Sequence, residues 1–112
     1  MNSIENGMRP IHPGEVLREE FMIPLGLSAN ALAASLQVPA PRINDVARER
    51  RAVTADTALR LARFFGTSAE FWMGLQVDYD TARAREKLAD ALSRIQRFDV
   101  SPNHFGSPAL TR

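Results

Sequence analysis

Apolar residues recur at intervals of three and four positions between residues 12 and 98, which is typical of helices that bury one face. The clearest stripe lies in the middle of the chain and consists of Ala58, Leu61, Ala62 and Phe65. No segment of more than a few residues alternates as a strand would. The pattern therefore predicts an all-α fold in a single domain.

Residues that begin and end helices mark the boundaries of the predicted elements. Pro13 suits the first turn of a first helix, and Gly26 suits its end. Ser28 and Thr54 have side chains that can cap the starts of the second and fourth helices, and Gly66 suits the end of the fourth. The third helix lies between the second and the fourth, and only short connections join it to them.

The C-terminal half of the pattern predicts a fifth helix and a further helical extension. Thr67-Ser68-Ala69-Glu70 has the spacing of a capping box that opens the fifth helix. Phe71 and Trp72 in this helix are expected to close the core. A last stripe consists of Leu88, Ala91, Leu92 and Ile95. We expect a flexible N-terminus over residues 1–11, a helical domain over residues 12–98 and a disordered tail over residues 99–112.

The second and third predicted helices meet the spacing requirements of a helix-turn-helix. Ala33 is small where the two helices must cross, and Val38 can be buried in the turn between them. Ile43 and Val46 can pack the third helix onto the core. Such a unit can place its second helix in the major groove of DNA. An ordinary three-helix bundle with similar stripes would satisfy the same spacing.

If the unit binds DNA, the N-terminal half and the outward side of its second helix face the base edges. The positions concerned are Ala40, Pro41, Arg42, Asn44 and Asp45. Arginine can read guanine, asparagine can read adenine and a carboxylate can accept from cytosine, whereas the two apolar residues could only contact a thymine methyl. Three arginines at or just past the helix end are better placed for phosphates, namely Arg48, Arg50 and Arg51.

The charge is near neutral in total but unevenly distributed. The net charge is +1, yet residues 38–63 carry +3 between segments of −2 over residues 1–37 and −3 over residues 64–82. A local basic stretch favours contact with phosphates. A solvated face that carries arginine in place of lysine would give the same pattern.

Other chemistries find little support in the sequence. The chain has no cysteine, and its two histidines, His12 and His104, lie near opposite ends without metal-ligand spacing. It contains neither a P-loop nor a dinucleotide-binding glycine motif. We therefore predict no catalytic residues, no metal and no cofactor.

No apolar run has the roughly 20 residues of a membrane span, and the N-terminus has no secretion signal. We expect a cytoplasmic protein that is found at the nucleoid when bound to DNA.

Two segments, HPGEVLREEFMIPLGLS and VPAPRINDVARERRAVTADTALRLARFFGTSAEFWMGLQVDYD, resemble HigA-type antitoxins of bacterial toxin–antitoxin modules. These antitoxins belong to the Xre/Cro-like helix-turn-helix repressors, and the resemblance covers about residues 9–85. It implies a five-helix lambda-repressor-like domain that forms a homodimer and binds the operator of its own operon. It also implies that the chain neutralises a cognate HigB toxin, a RelE-like endoribonuclease that cleaves messenger RNA.

Two alternatives to this function stay open at the level of sequence, because a fold does not establish a function. One is a stand-alone Xre-family repressor without a toxin partner. The other is a protein-interaction module whose helix-turn-helix no longer binds DNA.

Two surfaces are expected to contact protein partners. The first predicted helix is acidic and would meet a basic toxin through Glu15, Glu19 and Glu20. The stripe Leu88, Ala91, Leu92 and Ile95 is the expected dimer interface, because an extra helix on a complete five-helix domain needs a surface to cover.

Two positions depart from the family pattern. Gln37 stands in the turn where glycine is usual, and a left-handed conformation costs a non-glycine residue roughly 1 kcal/mol. The loop RERRAVT lacks the glycine that relatives carry near its middle, which puts the phosphate contacts of this loop in question.

Overall fold

The computed structural model describes residues 9–99, and all regular elements in this part of the chain are helices. Helix α1 consists of three consecutive segments, Pro13–Val16, Leu17–Met22 and Ile23–Leu25. The other helices are α2 (Ala29–Leu36), α3 (Ala40–Ala47), α4 (Ala55–Phe65), α5 (Ala69–Lys87) and α6 (Ala89–Ser93). The predicted all-α fold of five helices with a C-terminal helical extension is confirmed. Residues 1–8 of the predicted flexible N-terminus and residues 100–112 of the predicted tail lie outside the described residues.

Most predicted helix boundaries are confirmed by their caps. Ser28 and Thr54 lie at the starts of α2 and α4, where their hydroxyl oxygens accept backbone N–H groups of the first turn. Gly26 and Gly66 lie at the ends of α1 and α4 with φ of 67° and 75°. This left-handed conformation is the one that glycine adopts without strain.

The predicted capping box at the start of α5 is wrong by one residue. The cap is Ser68, whose hydroxyl accepts the backbone N–H of Phe71 at 3.0 Å. Thr67 instead accepts the indole N–H of Trp72 at 2.8 Å. Trp72 is fully buried, and a buried indole N–H needs an acceptor. The buried indole of Trp72, five residues along the chain, therefore takes the hydroxyl that the pattern assigned to the cap.

Helix α1 contains a wider turn that the sequence pattern did not predict. Its middle segment, Leu17–Met22, is π-helical, and the N–H of Ile23 donates to the carbonyl of Arg18 five residues earlier. Pro24, which has no amide hydrogen, lies two residues after the end of this segment. The C-terminal end of α1 is exposed, and the chain turns at Gly26 and leads into α2.

The core receives side chains from all of the first five helices. Its largest fully buried side chains are Trp72, Leu17, Leu32, Ile43, Leu61, Val46 and Pro13. The predicted inner side of α3, formed by Ile43, Val46 and Ala47, is buried, and so is Ala33. Helix α6 has no buried residue.

The N-terminus of α1 is packed tightly against the end of α3. A Cβ atom added to Gly14 would lie 1.7 Å from the carbonyl oxygen of Val46, so only glycine allows this approach. The Nδ1 atom of His12 accepts the N–H of Gly14 at 2.8 Å and caps the helix. The His12 ring is buried edge-on against Tyr79, with 4.8 Å between centroids, and burial lowers the pKa of His12. The sequence His12-Pro13-Gly14 therefore determines how close α3 lies to α1.

We expect Gly14→Ala to lower the free energy of unfolding by at least about 1–3 kcal/mol, because the added methyl group must push α1 away from α3. Gly74→Ala is the matched control, since an added Cβ there meets nothing within 4 Å in the middle of α5. This control should gain roughly 0.5–1 kcal/mol from helix propensity. Urea unfolding followed by circular dichroism measures both, and equal stability of the two variants would contradict the close α1–α3 contact.

Candidate nucleic-acid interface

The α2–turn–α3 unit has the geometry of a helix-turn-helix. Gln37 ends α2 with φ of 61° and ψ of 46°, which is the left-handed conformation expected at this position. The N–H of Val38 donates to the carbonyl of Ala33 at 3.0 Å, and Val38 is half-buried against the core. The turn therefore redirects the chain within three residues, 37–39, and α3 begins at Ala40.

Helix α3 separates its buried side from an outward side. Positions Pro41, Asn44, Asp45 and Arg48 are spaced three and four apart and lie opposite the buried side. Pro41 and Arg48 are exposed, whereas Asn44 and Asp45 are half-buried. The two other predicted base-reading residues, Ala40 and Arg42, lie at the flanks of this stripe and are also half-buried. All five predicted base-reading positions are thus in the first six residues of α3.

Arg42 is held by Asp56 of α4, which in turn binds Arg60 of the same helix, and neither residue was predicted to belong to the site. The Nη1 atom of Arg42 donates to Oδ1 of Asp56 at 2.6 Å, and Nε of Arg60 donates to the same oxygen at 2.7 Å. Arg60 also donates to the carbonyl of Leu36 at 2.8 Å. The hydrogen bonds from Arg60 and Arg42 hold the pKa of Asp56 below its usual range. The spacing of Asp56 and Arg60, one helical turn apart, was the available sequence signal.

Asp45 links α3 to the loop that follows it. Its carboxylate lies 3.2 Å from Nη2 of Arg50 and 3.4 Å from Nη2 of Arg51. Arg48 is exposed at the end of α3 and makes no ion pair within residues 9–99. The structure therefore brings two of the three predicted phosphate-contacting arginines, Arg50 and Arg51, to the carboxylate of Asp45. It also gives Asp45 an intramolecular role that the sequence analysis missed.

The loop after α3 is anchored from two sides. Arg18 on α1 donates to the carbonyl of Ala47 at the end of α3 and forms an ion pair of 3.2 Å with Glu49. Glu49 has φ of 64°, so a non-glycine residue here adopts the left-handed conformation. Farther along, the side-chain carbonyl of the buried Gln76 accepts the N–H of Val53 at 2.7 Å. These contacts fix the loop that carries Arg50 and Arg51.

The predicted toxin-binding acids lie on α1 and are partly paired. Arg9 donates to both carboxylate oxygens of Glu15, at 2.7 and 3.0 Å, which lowers the pKa of Glu15. Glu19 forms an ion pair of 3.0 Å with Arg18, and Glu20 is exposed.

The predicted dimer stripe is open to solvent in this single chain. Leu88 and Leu92 are each 45% exposed, and Ile95 is 70% exposed. Ala91, on the short helix α6, is exposed as well.

Two further observations bear on the kind of site present. Residues 9–99 contain no group of three or more histidine, aspartate or glutamate residues placed to hold a metal ion. In the same part of the chain, none of the helices combines the length and apolar character needed to cross a membrane.

The fold and the geometry of α2, turn and α3 define a helix-turn-helix protein, and comparison with known proteins narrows the class. The helix-turn-helix family matches residues 17–72. Virulence-associated protein I of Dichelobacter nodosus is 54% identical over 82 residues, which cover 73% of this chain and 76% of that protein.

Two solved structures share both the fold and much of the sequence. The antitoxin HigA of Pseudomonas aeruginosa, in a structure with the higBA promoter, is 47% identical with a TM-score of 0.79, covering 81% of this chain and all of that one. The antitoxin GraA in complex with its operator is 47% identical with a TM-score of 0.78, covering 83% of this chain and 95% of that one. The chain belongs to the HigA-type antitoxins of the Xre/Cro-like helix-turn-helix family, and it is not an enzyme.

We expect Gln37→Gly to be more stable than Gln37→Ala by about 1 kcal/mol, because only glycine relieves the left-handed strain at the turn. Both variants remove the same exposed side chain, so the comparison isolates the backbone effect. Thermal unfolding of the two proteins under identical conditions measures the difference. Equal stability would show that the turn stores no such strain.

Proposed function

We propose that this protein is a DNA-binding antitoxin that represses its own operon by inserting α3 into the major groove of its operator. One observation carries the proposal: the outward side of α3 presents hydrogen-bonding side chains while arginines surround its C-terminal end. The two structural neighbours described with a promoter or an operator support it. Acting on an operator would place the protein in the cytoplasm, at the nucleoid when bound.

Within this proposal the residues of α3 have different tasks. Arg42 and Asn44 would hydrogen-bond to base edges, Arg42 by donating twice to guanine and Asn44 by donating to and accepting from adenine. Ala40 and Pro41 would offer only apolar contact. Asp45 already accepts from Arg50 and Arg51, so its base contact would use the remaining acceptor capacity of the carboxylate.

The basic residues beside α3 would contact phosphates and so position the helix without reading sequence. Arg48 is exposed at the helix end, and Arg50 and Arg51 follow in the anchored loop. Their charges would make binding depend on salt, because each phosphate contact releases counterions.

We also propose that the protein binds its operator as a homodimer. One short helix reads only a few base pairs, and symmetric dimers extend the site to two half-sites. The exposed stripe Leu88, Ala91, Leu92 and Ile95 would form the interface, because exposed apolar side chains at helical spacing gain stability when a second copy covers them.

We expect Asn44→Ala to weaken operator binding by about 1–3 kcal/mol while leaving affinity for random DNA unchanged. Arg48→Ala should instead weaken binding to both duplexes alike and reduce the slope of log affinity against log salt by about one. Fluorescence anisotropy with the duplex upstream of the gene and a shuffled duplex of equal length distinguishes the two variants. Equal losses on both duplexes for Asn44→Ala would refute base reading at this position.

Toxin neutralisation is the second part of the proposal, and the partner would be a HigB-like, RelE-like messenger-RNA endoribonuclease. The membership of the HigA family supports it, since HigA proteins are antitoxins. We place the contact on the acidic side of α1. Glu19 and Glu20 are the more accessible acids there, because Glu15 is held by two hydrogen bonds from Arg9.

We expect the double substitution Glu19→Arg and Glu20→Arg to weaken the complex with the neighbouring gene product by about tenfold, since like charges would then face a basic toxin. Glu86→Arg on α5 is the control, because it reverses an exposed charge on another helix. Co-purification and calorimetry measure the complex, and growth rescue in a bacterial host measures neutralisation. A harmless neighbouring product would favour a stand-alone repressor, and an unweakened complex would place the contact elsewhere.

A further inference from the structure

We propose that Asp56, on α4, is a positioning residue that holds the guanidinium of Arg42 in the orientation needed to read a base, with Arg60 holding Asp56 in turn. This inference rests on the proposed assignment of Arg42 to base reading. It adds two residues of α4, a helix that is not part of the helix-turn-helix, to the surface that reads DNA.

The geometry divides the guanidinium of Arg42 into a held part and an available part. Nη1 donates to Asp56 at 2.6 Å, whereas Nε and Nη2 make no hydrogen bond within residues 9–99. Nε and Nη2 form one edge of the planar fork, and such an edge can donate to O6 and N7 of guanine together. Holding Nη1 therefore leaves a complete pair of donors for the base.

Arg60 holds the carboxylate of Asp56 in place. Its Nε donates to the same carboxylate oxygen that accepts from Arg42, at 2.7 Å, and its Nη1 donates to the carbonyl of Leu36 at 2.8 Å. Leu36 is the last residue of α2, so Arg60 ties the carboxylate to the first helix of the helix-turn-helix. The chain of contacts α2–Arg60–Asp56–Arg42 thus spans the whole unit.

Orientation matters because arginine has many rotamers. Holding a long side chain in one conformation before binding reduces the entropy that binding must otherwise remove. The side chain of Arg42 is 29% exposed, which leaves it accessible although one nitrogen is bound. The opposite hypothesis is that Asp56 competes with DNA for Arg42 and repels phosphates.

The two hypotheses predict opposite effects of Asp56→Ala. If Asp56 positions Arg42, operator affinity falls by about tenfold while affinity for a shuffled duplex stays equal or rises, because a negative charge is removed. Asp56→Asn should keep most of the discrimination, since its amide oxygen can still accept from both arginines. If Asp56 only competes, affinity for both duplexes rises and discrimination does not fall.

A double-mutant cycle tests whether the effect passes through Arg42. We expect Asp56→Ala to reduce discrimination in the wild type but to add nothing in an Arg42→Ala background. A loss of the same size in both backgrounds would assign Asp56 a merely structural role and overturn the proposal.

Nitrogen-15 NMR of the free protein provides a readout that needs no DNA. The Nη1 hydrogens of Arg42, which donate to Asp56, should give sharp signals at low temperature in the wild type and in Asp56→Asn, and signals broadened by rotation and solvent exchange in Asp56→Ala. An Arg42 signal that is unchanged in Asp56→Ala would refute the positioning. A wild type that binds both duplexes equally would instead refute the proposed function, so the two failures are distinguishable.

Discussion

The close approach of α1 to α3 is the constraint on which the rest of the molecule depends. Gly14 lies against the carbonyl of Val46 at a distance that excludes any side chain, and His12 fixes the helix start that presents this glycine. Arg18, one turn farther along α1, donates to the carbonyl of Ala47. The C-terminal end of α3 is therefore held by α1, while the outward side of α3 stays at least partly accessible.

Two arginines of this protein donate hydrogen bonds to the free carbonyls at helix ends, in addition to carrying charge. Arg18 binds the last carbonyl of α3, and Arg60 binds the last carbonyl of α2. Both also pair with a carboxylate, Glu49 and Asp56 respectively. A guanidinium has five donors in a fixed plane, so one side chain can satisfy a helix end and an acid together. Arg60 lies within the basic stretch of residues 38–63, so the charge of this stretch reflects internal structure as well as the proposed contacts with phosphates.

Local chemistry explains why the helix boundaries could be predicted. Ser28, Thr54, Gly26 and Gly66 act within one turn of their own positions, and the structure uses each as expected. The prediction failed at Thr67, because its hydroxyl accepts from the buried indole of Trp72 rather than capping its own helix. Periodicity also identified the buried and outward sides of α3, because a helix places every third and fourth residue on one face.

The amino-acid sequence by itself determined the helices, the place of the tight turn before α3, and the side chains on the outer side of α3. These features depend on backbone preferences and spacing along a few residues. Only the tertiary structure decided that Asp56 and Arg60 join Arg42, that Asp45 binds Arg50 and Arg51, and that Gly14 must lack a side chain. Such contacts join different helices or a helix and a loop, and their partners depend on packing, which no local pattern encodes.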